Sequence, residues 1–324
     1  MSALPDGFEI VAETGDRFAS FAPYVPAIAN DGTVAFQAEL RAGSTGVYVW
    51  QSGALLELAR DPGVEFVSHP DLNVTGDVCV YGRARNNTRL ITVGTGLLEP
   101  ISPLGIEVGP LGPTMNQSGA IAFRGTQEAR PGIFKLDEGG GWIVPPFHSE
   151  TTLIAQAGKK FTAFHGLPIV RDSGVVVFRA DLTDGRQGIY LSENGLLSAV
   201  VETGEEWSQI GLFPSANDEA IVFAATHSSG PGIFVKRNGT IEPHIQGESQ
   251  FRGAIIAGGG RIIYFATPPG GELGIYENQT RLVAIGDHQI TELALNSVSI
   301  NHAGHFAIRL KFQDGREAIA QLNC

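Results

Sequence analysis

Apolar residues come in short runs separated by clusters of Gly, Asn and Asp. The clearest stretch reads Leu167-Pro-Ile-Val170, a turn from Arg171 to Gly174, Val175-Val-Val-Phe-Arg-Ala180, a loop from Asp181 to Gln187, Gly188-Ile-Tyr-Leu191, a turn at Asn194-Gly195, then Leu196 to Val201. Apolar runs this short, bounded by turn-forming residues, predict β-strands joined as hairpins. No helical periodicity of useful length competes with them.

One phrase returns seven times: a turn of the form Asn-x-x-Gly, then apolar residues ending in Phe or its equivalent. The copies run over Ala29–Phe36, Asn73–Val80, Asn116–Phe123, Arg171–Phe178, Ala216–Phe223, Ala257–Tyr264 and Asn301–Ile308. Their last residues are spaced by 44, 43, 55, 45, 41 and 44 positions, the period of a four-stranded propeller blade. A third strand recurs as Gly46-Val-Tyr, Gly132-Ile-Phe, Gly188-Ile-Tyr, Gly232-Ile-Phe and Gly274-Ile-Tyr. Together these predict an all-β, seven-bladed β-propeller with four-stranded antiparallel blades, one domain over residues 1–324.

The two ends of the chain are complementary. Phe8 to Gly15 reads like the fourth-strand segments Ser198–Gly204 and Arg281–Gly286, with no earlier strand of its own blade before it. The last unit has strands up to Ala318–Leu322 and no fourth. The N-terminal strand is therefore expected to complete the C-terminal blade and close the ring.

The Asn-x-x-Gly-x-x-Ala-Phe phrase, best preserved in Asn116–Phe123, resembles a family of bacterial tandem-repeat proteins known by that pattern. The resemblance covers essentially the whole chain. It implies repeat architecture and says little about activity, and it implies an extracellular, anchored setting for which this sequence carries neither signal nor anchor. The Gly-His/Trp-Asp and double-Gly signatures of WD and kelch propellers are missing at the corresponding positions.

Composition narrows the partners. A formal charge of -12 argues against nucleic acid or an anionic membrane as the main partner. The first residues have no basic region followed by an apolar core, and no stretch approaches bilayer-spanning length, so a cytoplasmic protein is expected. The two cysteines, Cys79 and Cys324, do not suggest a disulfide framework. The closed ring is expected to be monomeric, with no cofactor.

In a propeller the first strand of each blade lines a central channel. Repeated residues read as structure there, so departures from the repeat are the places to look for function. The loops entering the first strands share one face, and the Asn-x-x-Gly turns lie on the other, which the repetition marks as the face with less to offer. The longest entering loop, 146–167, carries Phe147, His148, Lys159, Lys160, Phe161, Phe164 and His165 and reads either as a lid or as an ordinary insertion. At the starts of the first strands stand Tyr24, His69, His165 and Arg252, a set able to do acid–base work if it converges. Asp71, Lys160, Phe164 and Trp207 are candidate ligand contacts beside them. The pattern Gly15-Asp-Arg-Phe18, Gly158-Lys-Lys-Phe161, Gly204-Glu-Glu-Trp207 repeats, and so reads as inter-blade packing.

Metal chemistry has little support: His302-Ala-Gly-His305 falls in a turn, not on the helix that a zincin motif requires. No nucleophile elbow, P-loop or dinucleotide fingerprint is present. The sequence thus points to a propeller that binds a small molecule or a protein at its loop face and central channel. The alternative is a lyase, isomerase or cyclase that uses the channel-mouth quartet.

Overall fold

The structure, a computed structural model, describes residues 4, 7–84, 87–94, 97–100, 105–137 and 151–322. Trp142, Phe147, His148 and Cys324 lie outside the described residues. Seven antiparallel sheets follow one another along the chain, and the architecture is a seven-bladed β-propeller. Their second strands are Val34–Leu40, Val78–Ala84, Ile121–Gln127, Val176–Leu182, Ile221–His227, Ile262–Thr267 and Phe306–Phe312, for blades 1 to 7 in order. In blade 4 the four strands are Phe161–Val170, Val176–Leu182, Gln187–Glu193 and Leu196–Glu202.

Blades are buried on both faces, which explains why their central strands read as continuous apolar runs. Val34, Ala35 and Phe36 are all at most 1% exposed although successive side chains point to opposite sides. Phe36 packs with Ala307 and Ile319 of blade 7, whereas Ala35 shares a cluster with Leu72, Val78 and Val80 of blade 2. Burying both faces of every blade between its neighbours is what holds the ring together.

The repeated third-strand Gly has a steric cause. The aromatic residue two positions on lies on the same face and folds back over it. A Cβ on Gly188 would sit 2.7 Å from the Tyr190 ring, and one on Gly46 would sit 2.9 Å from the Tyr48 hydroxyl. That aromatic then stacks on the Phe of the second strand: Phe36 on Tyr48, Phe123 on Phe134, Phe178 on Tyr190, Phe223 on Phe234 and Tyr264 on Tyr276, with centroids 5.6 to 6.1 Å apart. The two repeated sequence phrases are thus halves of one packing device. The Gly-x-x-aromatic residues join it: Phe18 contacts Phe36 and Tyr48, and Phe161 contacts Phe178 and Tyr190.

Innermost strands carry a proline at Pro26, Pro70, Pro113, Pro168 and Pro214. Proline donates no ladder hydrogen bond, so a strand facing the channel tolerates it by breaking or bulging. In blades 1, 2, 3 and 5 the strand is split, leaving inner segments Ala27–Ile28, Asp71–Leu72, Thr114–Met115 and Ser215–Ala216. Blade 4 keeps one strand with a register shift between His165 and Ile169.

Of the two readings of 146–167, a lid or an ordinary insertion, the described part forms no lid. Thr151–Gln156 is the outer strand of blade 3, and Phe161 onward is the inner strand of blade 4. Phe161 and Phe164 are 3% and 2% exposed, because their rings fill the contact between those blades.

Ring closure follows the expectation from the chain ends. Phe8–Glu13 pairs antiparallel with Glu317–Leu322, from Phe8 opposite Leu322 to Glu13 opposite Ala318. Beyond the ladder, the buried Glu317 carboxylate reaches blade 1, accepting from Phe21 N at 2.6 Å, Ala22 N at 3.0 Å and Ser20 Oγ at 3.0 Å. One side chain thereby joins the last strand to the first blade. Removing residues 1–14 is expected to lower the melting temperature of the whole ring, and Glu317→Ala to cost about 1–3 kcal/mol by stranding two backbone donors. Calorimetry showing either protein as stable as the intact one would contradict this account of closure.

Candidate functional site

Around the axis, side chains two residues before the repeated turn latch one blade to the next. Thr114 Oγ1 donates to Pro168 O at 2.7 Å and accepts from Val170 N at 3.3 Å. Ser215 Oγ accepts from Ile256 N at 3.3 Å, and Ser299 Oγ donates to Pro26 O at 2.6 Å. In blade 2 the same place holds Asp71, whose Oδ2 accepts from Met115 N of blade 3 at 2.7 Å while Oδ1 accepts from Leu72 N at 2.8 Å. A second ring of latches lies one turn outward. The first Asn of the repeated turn donates to the matching carbonyl of the next blade: Asn116 to Arg171 O, Asn217 to Ala257 O and Asn301 to Ala29 O, at 2.7 to 3.0 Å.

These two rings enclose a cavity of about 150 Å³ that opens on the face of the Asn-x-x-Gly turns. Its rim is polar, with Asn30, Gln117, Arg171, Asp172, Asp218 and His302. Its walls mix the apolar side chains of Leu72, Met115, Ile169, Val170 and Ile256 with the polar ones of Asp71, Thr114 and Asn116. Blade 7 supplies the floor. There the chain leaves the strand Ile290–Ala294 and makes a short 3-10 turn, Ser297–Ser299, fixed by a capping box in which Asn296 accepts from Val298 N and Ser299 Oγ accepts from Asn296 N. Ser297 Oγ reaches Pro214 O of blade 5 at 3.4 Å, and Val298 is buried in the cluster that holds Ala27, Leu72 and Ile169. The channel is thus a funnel with an apolar bottom.

Two ionisable residues of the funnel depart from the repeat. Asp71 is 7% exposed, and burial pushes its carboxyl up to about 8 against the pull of its two backbone donors, so it is mainly neutral at pH 7. Arg171 stands where blades 2, 3 and 7 have Asn. Its Nε lies 3.4 Å from Asp218 Oδ1, and burial lowers its pKa from the usual guanidinium value.

Of the eight residues singled out by the sequence, Asp71 lines the funnel and the other seven do not. His69 is 3% exposed, with its ring packed against Gly112, and burial lowers it to about 4. Tyr24 lies half-buried at the seam of blades 1 and 2, where burial and the nearby Glu65 raise its phenol. His165 Nε2 is held 2.7 Å from Asp181 Oδ2, and the other oxygen of Asp181 takes Arg179 at 2.6 Å. Arg252 is exposed on the inner strand of blade 6. Lys160 lies 4.3 Å over the Tyr190 ring and 3.5 Å from Glu202, repeating the placement of Arg17 over Tyr48 and against Glu57 in blade 1. Trp207 packs on Phe234 and His227 within blade 5, at 4.7 Å each. The funnel also opens on the turn face, which the repetition had marked as the less promising one. Arg171 was missed, although its break with the Asn of neighbouring turns was visible.

Among the described residues no group of three or more His, Cys, Asp or Glu is placed to hold a metal, and no helix is long and apolar enough to cross a membrane. No protein-family model matches the chain, and no curated protein matches its sequence. Several solved structures share its fold. A prolyl endopeptidase matches 93% of this chain with 46% of its own, at 12% identity and TM-score 0.62. Prolyl oligopeptidase B from Galerina marginata, bound to a 35mer hydrolysis and macrocyclization substrate, matches 91% with 47% of its own, at 10% identity and TM-score 0.58. BBS1N in complex with ARL6DN matches 99% with 98% of its own, at 10% identity and TM-score 0.52. The chain spans just under half the length of the two prolyl enzymes, and at these identities the likeness is one of fold.

The Asp71 carboxyl gives a stability prediction. Its folded pKa lies above its ordinary value of 3.8, so the neutral form favours the folded state; that contribution is complete below pH 3.8 and is lost as pH rises through about 8. Asp71→Thr, which installs the blade 3 latch, is expected to raise the melting temperature more at about pH 9 than at about pH 5. An equal change at both pH values would contradict the burial of an ionisable group here.

Proposed function

We propose that this chain is a ligand-binding propeller whose site is the central funnel on the Asn-x-x-Gly face. The observation that carries the reading is the convergence, in one cavity with an apolar bottom and a polar rim, of Asp71 and Arg171, the two ionisable residues that break the repeat at their positions. Concave sites that set placed polar groups beside apolar surface are where small ligands bind. The surrounding latches support the reading because they fix the rim: Gln117 N donates to Asp172 Oδ1 across blades 3 and 4, Ser173 to Asp218 Oδ1 across blades 4 and 5, and His302 N to Asn30 Oδ1 across blades 7 and 1. A rim held this way is pre-organised, and binding then orders little further. BBS1N was solved with a bound partner, so the architecture is compatible with recognition.

The test is a thermal-shift panel of small amines, amino acids, dicarboxylates and monosaccharides on the wild type and on Ala216→Phe, which places a ring in the funnel. A binder present at a hundredfold excess over its Kd stabilises the wild type by roughly 2.7 kcal/mol and leaves Ala216→Phe unshifted. A panel without any wild-type shift, or a shift of equal size in Ala216→Phe, would contradict the funnel as the site.

A further inference from the structure

Resting on the funnel as the binding site, we infer that its ligand presents a primary ammonium group on a short alkyl chain, with the Asp71 carboxylate as counter-charge and the apolar walls and floor as the seat of the chain.

The first ground is that Asp71 exceeds what its structural duty requires. Its inter-blade bond, Met115 N to Oδ2, is the same bond that Thr114 makes with Val170 N and Ser215 with Ile256 N. A hydroxyl therefore suffices to latch these blades. A carboxyl at the same place adds a charge that burial opposes, and among the described residues no Lys, Arg or His forms an ion pair with it. A buried acid without a cation, lining a cavity, is complemented by a cation that enters the cavity.

The second ground is the balance of charge around the opening. The groups that face Asp71 are Cys79, directly across the ladder and buried with its thiol pushed up, His69 two residues back, and across the cavity Arg171, Asp172, Asp218 and His302. One guanidinium stands against two rim carboxylates, so the mouth attracts positive charge.

The third ground separates an organic ammonium from a metal ion. A hard cation needs several oxygen ligands, and among the described residues no group of three or more His, Cys, Asp or Glu is placed to hold one. Leu72, Met115, Ile169 and Val298 instead offer apolar surface next to the carboxyl, which a methylene chain covers and a bare ion does not.

Binding also moves a proton. At neutral pH the Asp71 O–H gives its proton to solvent as the ammonium takes the place beside the oxygen, so one proton is released per ligand bound and affinity falls as pH falls below about 8.

Isothermal titration calorimetry with n-butylammonium and putrescine tests this, with n-butanol as the neutral isostere and glucose and succinate as chemically different probes. The wild type is expected to bind the two amines and not n-butanol, to weaken by up to tenfold per pH unit below about 8, and to release a proton read from the buffer-ionisation dependence of the heat. Asp71→Thr is expected to melt no lower than the wild type and to lose at least tenfold in amine affinity; Asp71→Asn serves the same comparison if the Thr variant does not fold. Equal amine binding by wild type and variant, or n-butanol binding as well as n-butylammonium, overturns the inference. If glucose or succinate binds the wild type and is lost in Ala216→Phe while the amines fail, the funnel stands and the ammonium assignment falls. If no probe binds, both fall.

Discussion

Everything in this molecule depends on the burial of both faces of every blade. A sheet such as blade 1, with Val34, Ala35 and Phe36 all inaccessible on alternating sides, has no stable existence alone, because each face needs a neighbour. A row of such sheets always leaves two faces bare, and only a closed ring leaves none. The pairing of Phe8–Glu13 with Glu317–Leu322 and the carboxylate of Glu317 on blade 1 are therefore conditions of the fold rather than additions to it. The same requirement creates the hole at the centre, since seven wedge-shaped sheets around an axis bring their first strands together without filling the middle.

How that hole is finished decides what it can hold. Latches between inner strands, from Thr114, Ser215, Ser299 and Asp71, draw the strands into register and satisfy donors that proline-broken ladders leave open. The turn at Ser297–Ser299 then reaches from blade 7 to Pro214 O of blade 5 and lines the cavity with Ser297 and Val298. Scaffold and site are thus built from the same positions. A residue at a latch position serves structure when it is Thr or Ser and adds chemistry when it is Asp.

The fold was legible because its causes are local and repeated. Asn-x-x-Gly turns and the Gly-Ile-Tyr phrase each report a constraint that recurs with every blade, the unmatched end strands report one that joins the two ends of the chain, and the structure returns them as turns, stacked aromatic pairs and the closing ladder. The funnel was only half legible. Asp71 was noticed as a neighbour of His69, yet the two part company: the His69 ring is packed away against Gly112 and the Asp71 carboxyl lines the cavity, because adjacent odd positions on either side of the Pro70 break do not share an orientation. Phe164 read as loop because the third interval is 55 residues long, and the outer strand Thr151–Gln156 of blade 3 falls inside the apparent insertion. The floor depends on the irregular turn around Val298, which no repeat announces.

The most direct measurement is a crystal structure of the protein grown with putrescine. The account predicts one ammonium nitrogen within hydrogen-bonding distance of an Asp71 carboxylate oxygen, the methylenes against Met115 and Ile169, and the second ammonium at the rim near Asp172 or Asp218. Putrescine bound at the opposite mouth, beside His165 or Arg252, with the funnel holding only solvent, would contradict it.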